Sequence, residues 1–298
     1  MKVYSKIEKF GLAVVIAAFT LTAQAQELTG TLKKIKDSGM ITLGHRDTSI
    51  PFSYYDDKQQ VIGYAMDICM KIVDAVKAEL KMPDLKVVLN PVTSATRIPL
   101  MANGTIDLEC GSTTNTLSRQ KEVAFAPTTF ITGTKLVVKK SSKIKSYKDL
   151  KGKTVVVTQG TTNERAIKAL SDKENLGIKF LNAKDHAESF LTVESGRAVA
   201  FSMDDVLLYG LVANAKNPKD FDVVGDYLSF DPYAIMFRKN DDSFGVVIRR
   251  TLANLMRSGE INKIYDKWFV GKLPSGETLA MPMQPLLKSA FTLQALPE

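Results

Sequence analysis

Three arginines in this sequence stand where the chain changes from one regular element to the next. Arg46 ends "MITLGHR" (40–46), Arg97 opens a helix in "TSATRIP", and Arg119 stands near the end of the hydroxyl-rich run "GSTTNTLSRQ" (111–120). A guanidinium offers a planar fork of donors that grips a carboxylate bidentately. The hydroxyls of Ser112 and Thr114, with nearby backbone N–H groups, can complete such a grip. A helix cap needs only one residue of this kind, so several hydroxyls plus a guanidinium exceed that simpler role. Asp204, just past "AVAFSM" (198–203), supplies the opposite charge and could accept from an ammonium group; it is equally placed to cap a helix from Val206. Thr161 and Glu164 have capping-box spacing at a helix start, where N–H groups attract anions. His186, after "FLNAKD", could join Arg46 and Arg97 in a second cationic pocket able to pair with a side-chain carboxylate. Each of these charges taken singly is commonly a solvated surface group; the combination is what suggests an amino-acid recogniser.

Such groups need a scaffold that presents strand ends side by side. Apolar alternation predicts strands over 40–46, 85–92, 105–110, 134–140, 153–158, 178–183 and 198–203. Helical spacing predicts helices over 63–80, 96–104, 162–171 and about 187–196, the first with Met66, Cys69, Met70, Ile72, Val73 and Val76 on its inner face. Strands separated by helices imply parallel sheets flanked by helices, with ligands beyond the strands' carboxyl ends. "RIPLMANGTIDLECGS" (97–112) and "SFLTVESGRAVAFSMD" (189–204) are both helix, glycine, strand, and aligning their glycines sets Ser112 opposite Asp204. The expectation is two lobes of similar plan. Alternation also turns Glu109 away from the crevice.

The 298 residues carry a formal net charge of +8, scattered along the chain. The densest basic clusters lack interleaved aromatics, which argues against nucleic acid. Lys2, Lys6 and Lys9, the apolar run Gly11–Leu21 and Ala23-Gln24-Ala25 read as a secretory signal peptide cut after residue 25. No cysteine stands at the cut to take a lipid, and no other stretch is long and apolar enough to cross a membrane. Cys69 and Cys110 could pair after export or remain buried thiols; free thiols are the expectation. With two histidines besides, the chain offers no convincing metal site.

The chain resembles the glutamate/aspartate-binding proteins of bacterial ABC-type amino-acid importers, a branch of solute-binding protein family 3. The resemblance is carried by "GHRDTSIPFSYYD", "VIGYAMDICMKIVDAVK", "VTSATRIPL", "NGTIDLECGSTTNTLSRQK", "LKGKTVVVTQGTT", "AKDHAESF", "VESGRAVAFSMDD" and "SGEINKIYDKWF", and runs to about residue 271. Ala95-Thr96 and "SFDPYAIMF" (229–237) depart from the family pattern. The resemblance implies a two-lobed α/β fold of the type II periplasmic-binding-protein kind, each lobe a sheet flanked by helices, joined by two hinge strands. Residues 26–130 and 230–271 would form lobe 1, 131–229 lobe 2, and 272–298 a tail. Arg119, Ser112, Thr114 and Thr162 would hold the α-carboxylate and Asp204 the ammonium. Arg46, Ser94, Arg97 and His186 would hold the side-chain carboxylate of L-glutamate or L-aspartate. A periplasmic monomer serving an inner-membrane ABC permease, with no cofactor, is implied. Two rivals remain: an exported dehydratase-like enzyme on the same scaffold, for which no general acid, GxSxG or HExxH is found, and a ligand-sensing subunit.

Overall fold

The computed structural model describes residues 28–295; the expected leader lies outside them. Two five-stranded sheets are built to one plan. The first runs, edge to edge, Lys86–Pro91, Met40–His45, Leu108–Glu109, Met236–Arg238, Val123–Phe125. The second runs Lys179–Ala183, Thr154–Thr158, Ala200–Asp204, Thr134–Lys139, Phe221–Val224. In each, three parallel strands are followed by a fourth antiparallel to them and a fifth antiparallel to the fourth. The sheets are separate, so the chain forms two lobes. A pair of antiparallel crossover strands, Phe130–Thr132 and Asp231–Tyr233, connects them.

The helices follow the apolar periodicity. Helix Tyr64–Leu80 buries Met66, Cys69, Ile72, Val73 and Val76 against the first sheet, but Met70 is solvent-exposed. Helices Arg97–Ala102, Thr162–Lys173 and His186–Glu194 occupy the remaining predicted positions. The strand expected over 105–110 is regular only at Leu108–Glu109. The Asp107 carboxylate takes the Thr42 N–H that a longer ladder would have used.

Contrary to the free-thiol expectation, Cys69 and Cys110 form a disulfide. Helix Tyr64–Leu80 lies over the strand end at Cys110 and brings the two Cα atoms to 6.1 Å, within bridging range. Such a crosslink contributes typically about 2–4 kcal/mol, and here it staples the segment that leads into the hydroxyl-rich loop. The tail folds back over the connection between lobes. Helix Pro285–Gln294 buries Leu287 and Phe291, and the Gln294 amide makes two hydrogen bonds to the Thr128 backbone beside the first crossover strand.

Candidate functional site

The carboxyl ends of the parallel strands of both sheets face one crevice between the lobes, and all nine residues singled out from the sequence meet there. Arg46, Ser94, Arg97, Ser112, Thr114, Arg119, His186 and Asp204 are buried, and Thr162 is half-buried. Arg119 donates from Nη1 to the Thr114 carbonyl at 2.8 Å and from Nη2 across the crevice to the Gly160 carbonyl at 3.2 Å. Thr114 and Thr162 hydroxyls approach to 3.3 Å from opposite lobes. Arg97 donates to the Thr113 hydroxyl at 2.6 Å, and Ser112 Oγ lies 3.3 Å from Ser49 Oγ. The lobes thus touch across the crevice. A hollow bordered by Ser94, Ser118, Arg119, Gly160 and Arg165 leads to it from solvent.

The electrostatics are those of an anion site. Burial, and then the neighbouring Arg97, press Arg46 down to about 10; the same two causes press Arg119 down to about 9. Arg97 is lowered as well, chiefly by burial. All three remain cations at neutral pH. Crowding like charges in a dry crevice is costly, and buried charges are normally paired. Yet Arg46 Nη1, Arg97 Nε, Arg119 Nε and Ser94 Oγ have no protein partner. These donors are available to anionic oxygens.

His186 is held well below its usual pKa by burial, Arg46 and Arg97, and is neutral. Its Nε2 lies 3.4 Å from Arg46 Nη2, and its Nδ1 lies 3.0 Å from the Thr158 hydroxyl. A guanidinium can only donate, so Nε2 accepts from Arg46 and Nδ1 carries the proton toward Thr158. His186 therefore reaches the pocket through Arg46, which it seats.

Asp204 sits at the N-cap position of helix Asp205–Ala213 but makes no capping bond. Its carboxylate instead accepts from the Tyr233 hydroxyl and, at 2.8 Å, from Asn163 Nδ2. Burial, then the nearby Asp231, raise its pKa to about 8. A cationic group beside it would reverse that penalty. Thr161 accepts from the Glu164 N–H, while Glu164 Oε2 takes the Gly160 N–H, fixing the loop that faces Arg119.

Sequence reasoning missed four participants. Tyr233 and Asp231 arrive on the second crossover strand, which continues alongside Thr113–Asn115; Asp231 accepts from the Thr114 hydroxyl at 3.0 Å. Their signal was "SFDPYAIMF" (229–237), noticed only as a departure from the family pattern. Asn163 is hidden in an ordinary first helical turn. Glu109 is a correction: Leu108 and Cys110 take the core face, and the opposite face, which Glu109 shares with position 111 and the Arg46 stem, is the one that meets the arginines, so Glu109 lies buried beside them rather than away from the crevice.

Comparison with known proteins identifies the family and the fold. An L-glutamate/L-aspartate-binding protein of Pseudomonas aeruginosa is 53% identical over 278 residues, 93% of this chain and 92% of the relative. A glutamate/aspartate import solute-binding protein of Escherichia coli K12 is 50% identical over 244 residues, 82% of this chain and 81% of the relative. Among solved structures, an ancestral arginine-binding protein bound to arginine superposes with TM-score 0.70 at 31% identity, covering 78% of this chain and 98% of that one. The two-lobed α/β architecture is thus that of the type II periplasmic binding proteins. Residues 41–271 match the profile of a single family, and on that match this chain belongs to the bacterial extracellular solute-binding proteins, family 3.

Proposed function

We propose that this chain, after export to the periplasm, captures one free L-glutamate or L-aspartate between its lobes and delivers it as a monomer to an inner-membrane ABC permease. Arg119, Ser112, Thr114 and Thr162 take the α-carboxylate, and Asp204 takes the ammonium. Arg46, Ser94 and Arg97 take the side-chain carboxylate, with His186 seating Arg46. Residues 26–130 with 230–271, and 131–229, act as the two closing bodies.

One observation carries the reading: three buried guanidiniums from separate segments converge with N–H groups unspent. Two carboxylates on one small molecule satisfy that arrangement, and the names of the relatives agree with it. An arginine ligand, as in the solved neighbour, would bring a fourth guanidinium into the crevice. Leaving a buried charge without its partner costs about 3–5 kcal/mol, so L-glutamine should bind at least about a hundredfold more weakly than L-glutamate. A thermal-shift screen of the twenty amino acids, followed by calorimetry, tests this, because a ligand at 1,000 times its Kd adds about 4 kcal/mol. A neutral or cationic amino acid as the strongest binder would reject the proposal.

Closure makes a separate prediction. Gly160 has φ +81°, and a Cβ there would fall 2.8 Å from Ala95 Cα and 2.9 Å from Ala95 N on the facing lobe. Both contacts are backbone and cannot swing aside. Gly160→Ala should weaken binding by roughly tenfold or more, since ligand affinity draws on contacts that exist only when the lobes meet. Calorimetry reads the affinity and small-angle scattering reads the ligand-induced compaction. Unchanged values for both would show that the lobes close elsewhere.

A further inference from the structure

Two arginines, Arg46 and Arg97, for one side-chain carboxylate would leave a surplus positive charge in the pocket. Glu109 stands where that surplus would be. It is fully buried, and its Oε2 accepts from the Thr113 hydroxyl at 2.5 Å. The same hydroxyl accepts from Arg97 Nη1 at 2.6 Å, so a single oxygen relays Arg97 to the carboxylate. The other oxygen, Oε1, has no hydrogen-bond partner in the protein and shares the space over Gly111 with the Arg46 stem. A Cβ on Gly111 would come within 2.3 Å of Oε1 and 2.8 Å of Arg46 Cγ, so only glycine lets the carboxylate and the side chain share that space. Electrostatically Glu109 acts on all three arginines.

We infer that Glu109 is a permanent internal counter-ion that cancels one of the two pocket arginines and so sets the charge demanded of the ligand side chain at a single negative unit. The inference rests on the proposed assignment of Arg46 and Arg97 to the side-chain carboxylate. It gives the Thr113 hydroxyl a role of its own in the loop, because that oxygen joins Arg97 to the Glu109 carboxylate. Glu109 is a specificity-setting residue that acts through the arginines. Neutralising it should move preference toward a side chain with two negative charges. O-phospho-L-serine is a suitable probe, close to glutamate in length but dianionic at its phosphate.

The test is calorimetry on the full-length mature protein with L-glutamate, L-glutamine and O-phospho-L-serine. In Glu109→Gln the affinity ratio of phosphoserine to glutamate should rise at least tenfold over wild type. An unchanged ratio would overturn the inference. Because three buried cations without Glu109 could prevent folding, the charge-balanced pair is decisive. Arg97→Gln alone leaves the pocket with no net charge and should lose glutamate by a hundredfold or more. Adding E109Q to R97Q restores one net positive charge and should recover at least tenfold of that loss. A double variant no better than R97Q would show that Glu109 is merely structural. A wild type that binds neither L-glutamate nor L-aspartate rejects the site assignment and this inference together. A wild type that binds them while both variant comparisons stay flat rejects the inference alone.

Discussion

Arg119→Met should abolish amino-acid binding while leaving the unliganded protein as stable as wild type or more so. The two halves of that result have one cause. Arg119 is buried, bonded on one side to the Thr114 carbonyl and on the other, across the crevice, to the Gly160 carbonyl. Its Nε is unspent. A ligand carboxylate there would be desolvated, and removing its guanidinium strands it at a cost of about 3–5 kcal/mol, a loss of about two to three and a half powers of ten in affinity at about 1.4 kcal/mol per tenfold. The same charge burdens the unliganded fold, since burial and Arg97 hold its pKa at about 9 against a usual 12.5. A base whose folded pKa is depressed opposes folding at every pH where it is charged. Methionine fills much of the same volume without that burden. Calorimetric titration with L-glutamate and L-aspartate, beside melting of the unliganded protein, gives both readouts. Normal binding by the variant would mean the α-carboxylate lies elsewhere. A large drop in Tm with binding lost would show that Arg119 holds the fold.

The architecture was legible in the sequence because its period is simple. Alternation placed the strands, helical spacing placed the helices, and the rule that ligands lie beyond strand ends pointed to Ser112, Arg119 and Asp204. What escaped depends on distances between elements. The Cys69–Cys110 bridge follows from how a helix crosses a strand end, and two buried positions 41 residues apart reveal nothing of that crossing. Alternation sets Glu109 opposite Leu108 and Cys110, but only the approach of the Arg46 stem to that face shows that it meets the crevice. Tyr233 and Asp231 belong to a crossover strand, whose partner in the hydroxyl loop is fixed by how the chain returns between lobes. The functional charges could be read locally, whereas the groups that tune them are supplied by the topology. Asp204 shows the difference. Its position suits a helix cap, yet Tyr233 and Asn163 take its carboxylate instead.

That environment makes binding sensitive to pH. Asp204 is fully buried and faces Asp231, Asp205, Tyr233 and Asn163, with Arg97 and Arg119 farther off. Burial, then Asp231, raise its folded pKa to about 8 from 3.8, so at pH 7 the unliganded protein holds it mostly protonated. For the unliganded fold, a raised carboxylate pKa gives stability that is full below the unfolded value of 3.8 and is lost as pH rises toward about 8. Ligand binding runs the opposite way, because an ammonium group needs the ionised form and must expel the proton. Affinity for the amino acid should therefore climb as pH rises from 6 to 8, by up to about tenfold per unit, and level off above. Near pH 7 close to one proton should be released per ligand bound. Calorimetry in two buffers of different ionisation enthalpy measures that number directly. Asp204→Asn keeps the shape and the Tyr233 contact but has nothing to ionise. It should release no proton, lose the slope between pH 6 and 8, and bind about 3–5 kcal/mol more weakly at pH 8, where a buried ammonium is left unpaired. A wild type that releases no proton at pH 7 and binds equally at pH 6 and 8 would show that Asp204 is already charged before the ligand arrives. In that case Asp231 and burial are not the forces that govern the ammonium end of the crevice.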